Sequence, residues 1–407
     1  MASETPSTSS IRVAKVPVSY KIDQKSPGGY DDEKAIDHAD TSSKEISLVF
    51  AGLFGGAIVA AITTYKSHML LGRVGAGFLG CLGIGLGSTI VALHPPWPAV
   101  PAAMCLVTYG MTALDPTAVA WIGGLHHSRE LMGVLQGCFG IGSTIAPLIA
   151  NAIVQHGIPY YKYYYIPLGL SITGSTGFVV SFWGEDGAKY ARETGSSEHS
   201  GAAHAKGILR NKVSWILGLF LLANWGVETV IGSWMFTYLT EAHGGSFSHA
   251  SLVSSMYWLS FTLGRFFLVW VDGLIPPKRR GKGPVSLLIC LSIGLVLMCW
   301  LLPTFAGVSI VICLQGFFCG PLCPLLLKML TTLLPPHLHV SAIGLCSVLG
   351  SFGSGIFPIA AGAIAEHRGI SKIHPLIFSV YIVELLIWLC LPAPPLETII
   401  SDVQSKK

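Results

Sequence analysis

Apolar residues in this chain come in unbroken blocks of about 20, with short polar interruptions, and show neither strand alternation nor a one-sided helical stripe. At a rise of about 1.5 Å per residue, such a block crosses the roughly 30 Å of hydrocarbon in a bilayer. The blocks predict spans at about 46–65, 74–93, 98–119, 131–155 and 162–183. After a polar stretch, further spans are expected at about 213–238, 249–272, 284–302, 305–330, 338–365 and 373–392. Five spans and six make eleven, so the pattern predicts an all-α, polytopic membrane protein. Its expected organisation is a polar tail (1–45), a five-helix bundle (46–183), a linker (184–212), a six-helix bundle (213–393) and a C-terminal tail (394–407).

One stretch is written nearly twice. "GSTIAPLIANAIVQH" begins at Gly142 and "GSGIFPIAAGAIAEH" at Gly353, 211 positions later, and eight of the fifteen positions are identical. Neither copy is low-complexity sequence. The copies lie in the fourth span before the linker and the fifth after it, each followed by one more helix, which points to a duplicated architecture.

Composition supports the membrane reading: 51% of the 407 residues are hydrophobic and 11% charged, against about 25% charged in soluble domains. The tail carries six basic and eight acidic residues and no apolar run, so it reads as disordered, without a cleavable signal peptide. A net charge of +4, scattered along the chain, argues against a nucleic-acid partner. All ten cysteines fall in apolar segments, where they pack as small polarizable side chains. Lys66, Arg73, Arg129, the linker's basic residues, Lys278, Arg279, Arg280, Lys282, Lys406 and Lys407 fall on one side of the alternating loops. Lys162, Arg368 and Lys372 fall on the other, so the first side is expected to be cytosolic. The second side holds the aromatic "PYYKYYYIP" of an interfacial belt.

An acidic group in mid-span costs about 2.5–3.5 kcal/mol on insertion scales and needs a partner, water or a purpose. Asp115 closes the polar stripe Thr108, Thr112, Asp115; it reads either as a cavity-lining group or as a carboxylate bonded to a neighbouring helix. Glu228 is placed deeper, one turn after Asn224 and before Trp234, and is a candidate binding or coupling residue; the other reading is a packing hydrogen bond. Gln136 and Gln315 either bind hydroxyls or bridge helices. Glu384, on a helix expected to be peripheral, reads as an interhelical bond or a snorkelling group. Glycine runs such as "GFLGCLGIGLGS" allow close helix approach and are not nucleotide loops. The fourteen histidines are expected in loops and tails. No nucleophile elbow, paired-histidine zinc motif or phosphate loop is present, so no enzyme, cofactor or metal is expected.

The segments "YGMTALDPTAVAWIG", "GVLQGCFGIGSTIAPLIA", "GVETVIGSW", "LVSSMYWLSFTLGR", "QGFFCGPLCPLLL" and "LLPPHLHVSAIGLCSVLGSFGSGIFPIAAGAIA" occur in order, from about 46 to 393. Together they resemble the fungal branch of the fucose-permease-like transporters of the major facilitator superfamily (MFS). The resemblance implies two bundles of six helices around a midplane site, the family's first helix being the one missing before Ile46. It implies a monomeric carrier of a sugar or secondary metabolite, with protons as a possible coupling ion, in the plasma membrane or an endomembrane. Asp115, Trp121, Gln136, Phe139, Asn224, Glu228, Trp234 and Gln315 would contact solute or proton. Gly72, Arg73, Gly264 and Arg265 would belong to the cytosolic gate. Val119 and Gln136 stand where the family often has Asn and His, which leans toward a non-sugar ligand. A truncated, non-transporting relative or membrane sensor is the alternative.

Overall fold

The computed structural model describes residues 43–123, 128–184, 187, 208, 210–274, 282–335 and 338–392. The linker expected at 184–212 therefore lies almost wholly outside the described residues, as do most of both tails. In hydrocarbon every backbone N–H and C=O must find an internal partner, and helices do this segment by segment. Eleven helices result among the described residues, and no strand. They are α1 (Ser43–Ala92), α2 (Ala99–Gly123), α3 (Ser128–Gln155), α4 (Tyr165–Ser181), α5 (Lys212–Thr237), α6 (Phe247–Leu274), α7 (Gly283–Leu301), α8 (Phe305–Cys319), α9 (Leu322–Leu333), α10 (His339–Arg368) and α11 (His374–Cys390).

Two boundaries differ from the sequence reading. The first two spans are one helix, α1, and the turn expected near 66–73 is a single elbow at Gly72, with φ 70° and ψ −169°. Only glycine adopts that conformation without strain, so one residue replaces a loop. Conversely, the span expected at 305–330 is two helices, α8 and α9, parted at Gly320 and Pro321.

Seven of the described segments are long and apolar enough to cross a membrane, among them Leu70–Ala92, Lys212–Ala242 and Phe305–Leu333; Leu48–Thr64 and Ala99–Asp115 are shorter apolar helices. Large apolar side chains such as Leu70, Leu170, Val180 and Leu301 face outward. On a soluble protein that would be a liability; here it is the surface offered to lipid.

The 211-residue offset of the repeat relates more than α3 and α10. Added to Leu48–Thr64 it lands within α6 or at its end; added to Leu70–Ala92 it lands on α7, to α2 on α8–α9, and to α4 on α11. Packing follows the same rule: α3 packs on α6, and α10, the copy of α3, packs on α1, whose first part corresponds to α6. The two sets of helices thus meet along two equivalent seams. Within the sets, backbones touch through glycine: a side chain at Gly56 would lie 2.1 Å from the Cys105 carbonyl, and one at Gly353 1.9 Å from that of Leu222. The helices from α5 onward share one large apolar core; the earlier helices hold a small one around Val91, Val100, Ala103 and Met104.

Candidate functional site

The break in α8–α9 builds the centre of the site. A carbonyl at position i in a helix accepts from the N–H of i+4, and proline has none. Pro321 therefore leaves the Phe317 carbonyl without its partner, and Pro324 leaves that of Gly320. Helix α6 packs against both and bonds one. Arg265 Nε donates to the Gly320 carbonyl at 3.2 Å, and Gly264 lies so close to the Phe317 carbonyl that a Cβ would come within 2.0 Å of it. The Arg265 guanidinium lies over the Phe261 ring, 4.4 Å from its centroid, and 5.8 Å from that of Phe139.

Phe139 belongs to α3 and so reaches Arg265 across a seam, where it also meets Trp258 of α6 edge-on at 6.2 Å. Asp115 of α2 and Glu228 of α5 both lie within electrostatic reach of Arg265. Asp115 is solvent-accessible and Glu228 partly so, although protein surrounds most of each. One cation, two carboxyls and two aromatic rings from both sets of helices thus converge at one place. Such a site can take a small polar solute through charged hydrogen bonds and ring contacts.

Other candidates lie elsewhere. Trp234 is 1% exposed; its indole N–H donates to the Pro358 carbonyl at 3.2 Å and its ring meets Phe50. Asn224, 1% exposed, donates from Nδ2 to Glu384 Oε1 at 3.1 Å. Gln315, 4% exposed, donates to the Tyr381 hydroxyl at 2.7 Å. Asn224 and Gln315 spend their amide hydrogens on side chains of α11, and Trp234 lies between α10 and Phe50 of α1, so the bonds of all three are made away from Arg265. Trp121 packs edge-on against Phe182 at 5.0 Å, near the ends of α2 and α4. Gln136 lies on α3, but its side chain is outside the described residues.

Gly72 and Arg73 sit at the elbow of α1. Gly264 and Arg265, expected with them, are inside α6 at the centre of the site: the freed carbonyls hold them there. Glu384, expected at a peripheral helix, is 0% exposed. The histidines are not all in loops. His68 is buried within α1, its Nδ1 2.8 Å from the Thr64 carbonyl and Nε2 3.0 Å from Thr117 Oγ1, and His374 is buried at the start of α11. Trp258 and Phe261 were passed over; their spacing of seven and four residues before Arg265 puts all three on one helix face, the signal that marks them. The ten cysteines are unbridged, and no group of three or more metal-ligating side chains occurs among the described residues.

Comparison with known proteins places the fold. A model of the Major Facilitator Superfamily matches residues 34–313 and 278–404. Bypass of stop codon protein 6 of Saccharomyces cerevisiae is 26% identical over 384 residues, covering 88% of this chain and 77% of that protein. Among solved structures, the Escherichia coli fucose:proton symporter FucP is similar, with a TM-score of 0.62 at 13% identity, over 86% of this chain and 91% of that one. A structure of FucP described as in the outward conformation gives 0.61 at 14%, over 85% and 89%.

Proposed function

We propose, from the premise that the chain belongs to the Major Facilitator Superfamily and is an integral membrane protein with a transporter fold, that it carries a small organic solute by alternating access. In this reading residues 46–183 and 213–393 move as two bundles, joined by the linker 184–212, and a single copy of the chain suffices. The convergence of Asp115, Glu228, Arg265 and Phe139 from both bundles carries the reading, because a solute held there touches both moving parts. Arg265 and the two carboxyls suit a hydroxylated or weakly charged solute, and Phe139 and Trp258 offer ring faces to it. A sugar comes first, given the fucose carried by the structural relative, and a secondary metabolite second. Glu228 is the proton-exchanging or solute-anchoring carboxyl, and the plasma membrane, with the basic loops facing the cytosol, is the proposed location.

Uptake of radiolabelled fucose and a panel of labelled hexoses into proteoliposomes tests this, with and without an inward proton gradient. Saturable uptake that is lost in Glu228→Gln is expected. Equal flux in the two proteins removes the role of Glu228, and no flux of any sugar above protein-free vesicles turns the reading to a metabolite or to a non-transporting protein.

A further inference from the structure

Behind the Arg265 cluster the bundle of α5–α11 encloses a second carboxyl with an unfinished set of hydrogen bonds. Glu384 Oε1 accepts from Asn224 Nδ2 at 3.1 Å, while Glu384 Oε2 and Asn224 Oδ1 are both buried without a partner. Among the described residues the cations nearest these helices bond elsewhere: Lys282 Nζ donates to the Leu389 carbonyl, beyond the turn that follows Glu384 in α11, and Arg265 to that of Gly320. Helix α5 brings Asn224 and Glu228, α7 carries no charged residue, α8 brings Gln315 and Cys319, α6 brings Tyr257, and α11 itself brings Tyr381. The charge that Glu384 senses is that of Glu228. Two bare acceptors on one amide–carboxyl pair in a sealed core lack one hydrogen. A proton on Oε2 supplies it: the O–H donates to Asn224 Oδ1 while Oε1 keeps the amide N–H, and the pair closes into a two-point ring.

A second unfinished set lies near this pair. The Tyr381 hydroxyl, one turn before Glu384, accepts a hydrogen bond from the Gln315 amide, and Gln315 Oε1 is again buried and unpartnered. Gln315, with Tyr238, Cys299 and His374, lines a small cavity whose remaining walls are apolar, among them Leu295, Val296 and Ile377. Tyr238 meets His374 at 4.4 Å and His243 at 4.8 Å between ring centroids, where α5 and α11 reach the side opposite the basic loops.

We propose that Glu384 is a proton-binding site, a neutral acid ringed to Asn224. The step is proton transfer alone: a hydronium ion, becoming water, or protonated Glu228, becoming carboxylate, gives up the proton that Glu384 Oε2 gains, and no bond between heavy atoms changes. That the site couples to solute movement rests on the transport reading; that Glu384 holds a proton does not.

Infrared difference spectroscopy on the full chain in lipid tests the proton directly. Wild type minus Glu384→Gln is expected to show one carboxylic-acid carbonyl band near neutral pH, shifting in D2O, and wild type minus Glu228→Gln is expected to lack that band. Glutamine can donate to Asn224 Oδ1 in place of the acid, so Glu384→Gln should melt with the wild type; if it does not fold, Glu384→Asp should move the same band. Absence of the band, or a Glu384→Gln protein that folds but melts far below the wild type, would overturn the assignment. In the fucose assay, Glu384→Gln should exchange solute but no longer respond to a proton gradient. If wild type moves no fucose while the band is present, the transport reading fails and the proton site stands.

Discussion

Arg265 holds the site together in three ways, and replacing it by lysine separates them. Lysine keeps the positive charge near Asp115 and Glu228 but has no Nε to reach the Gly320 carbonyl and no planar group to lie on Phe261. The lost hydrogen bond, 3.2 Å from a charged donor, contributes about 1.5–3 kcal/mol. The stack at 4.4 Å contributes about 0.5–2 kcal/mol. Arg265→Lys should therefore destabilise the purified protein by about 2–5 kcal/mol, read as a fall in melting temperature in detergent. The electrostatic part is isolated by Arg265→Met with and without Glu228→Gln. If Glu228 depends on this cation, the double variant is more stable than the sum of the singles predicts, by about 1–3 kcal/mol. Strict additivity, or an Arg265→Lys protein that melts with the wild type, would refute the arrangement.

Two further predictions concern the elbow of α1. Burial first of all, and then the charge of Arg73, hold the His68 imidazole below its ordinary pKa of 6.5, against the opposing Thr64 hydrogen bond. The unfolded chain then binds more protons than the folded one, so the stability due to neutral His68 is complete above pH 6.5 and lost as pH falls below it; melting midpoints should drop between pH 7.5 and 5.5 in wild type and drop less in His68→Gln, and equal drops would contradict this. Gly72→Ala should cost about 1–3 kcal/mol, because alanine at φ 70° and ψ −169° is strained whatever space surrounds it; a melting temperature equal to wild type would show that the elbow tolerates a side chain.

The spans were legible because block length is a strong signal, and the repeat announced the two related sets of helices before any contact was seen. What stayed hidden is which way each helix faces. In a membrane bundle, core, seam and lipid are all apolar, so no amphipathic stripe distinguishes them. Asn224 and Glu228, one turn apart, looked like a single site, yet Asn224 bonds to α11 while Glu228 lies within reach of Arg265. The break at Gly320 was written in the sequence by Pro321 and Pro324, and reading the run as one span concealed the carbonyls that draw Arg265 inward. Glu384 looked peripheral because its helix is last in the chain, but packing order need not follow chain order.

The account's central claim is that the two sets of helices move against each other around the Arg265 cluster. At the end opposite the basic loops, Gln155 of α3 donates from its side-chain amide to the hydroxyl of Ser248 on α6, and Ser251 donates to the Pro147 carbonyl at 2.8 Å. Replacing Gln155 and Ser248 by cysteine and oxidising the pair would staple that end shut. Solute flux in proteoliposomes should stop on oxidation and return on reduction, and neither single cysteine should respond. Undiminished flux through a fully cross-linked protein would contradict the account.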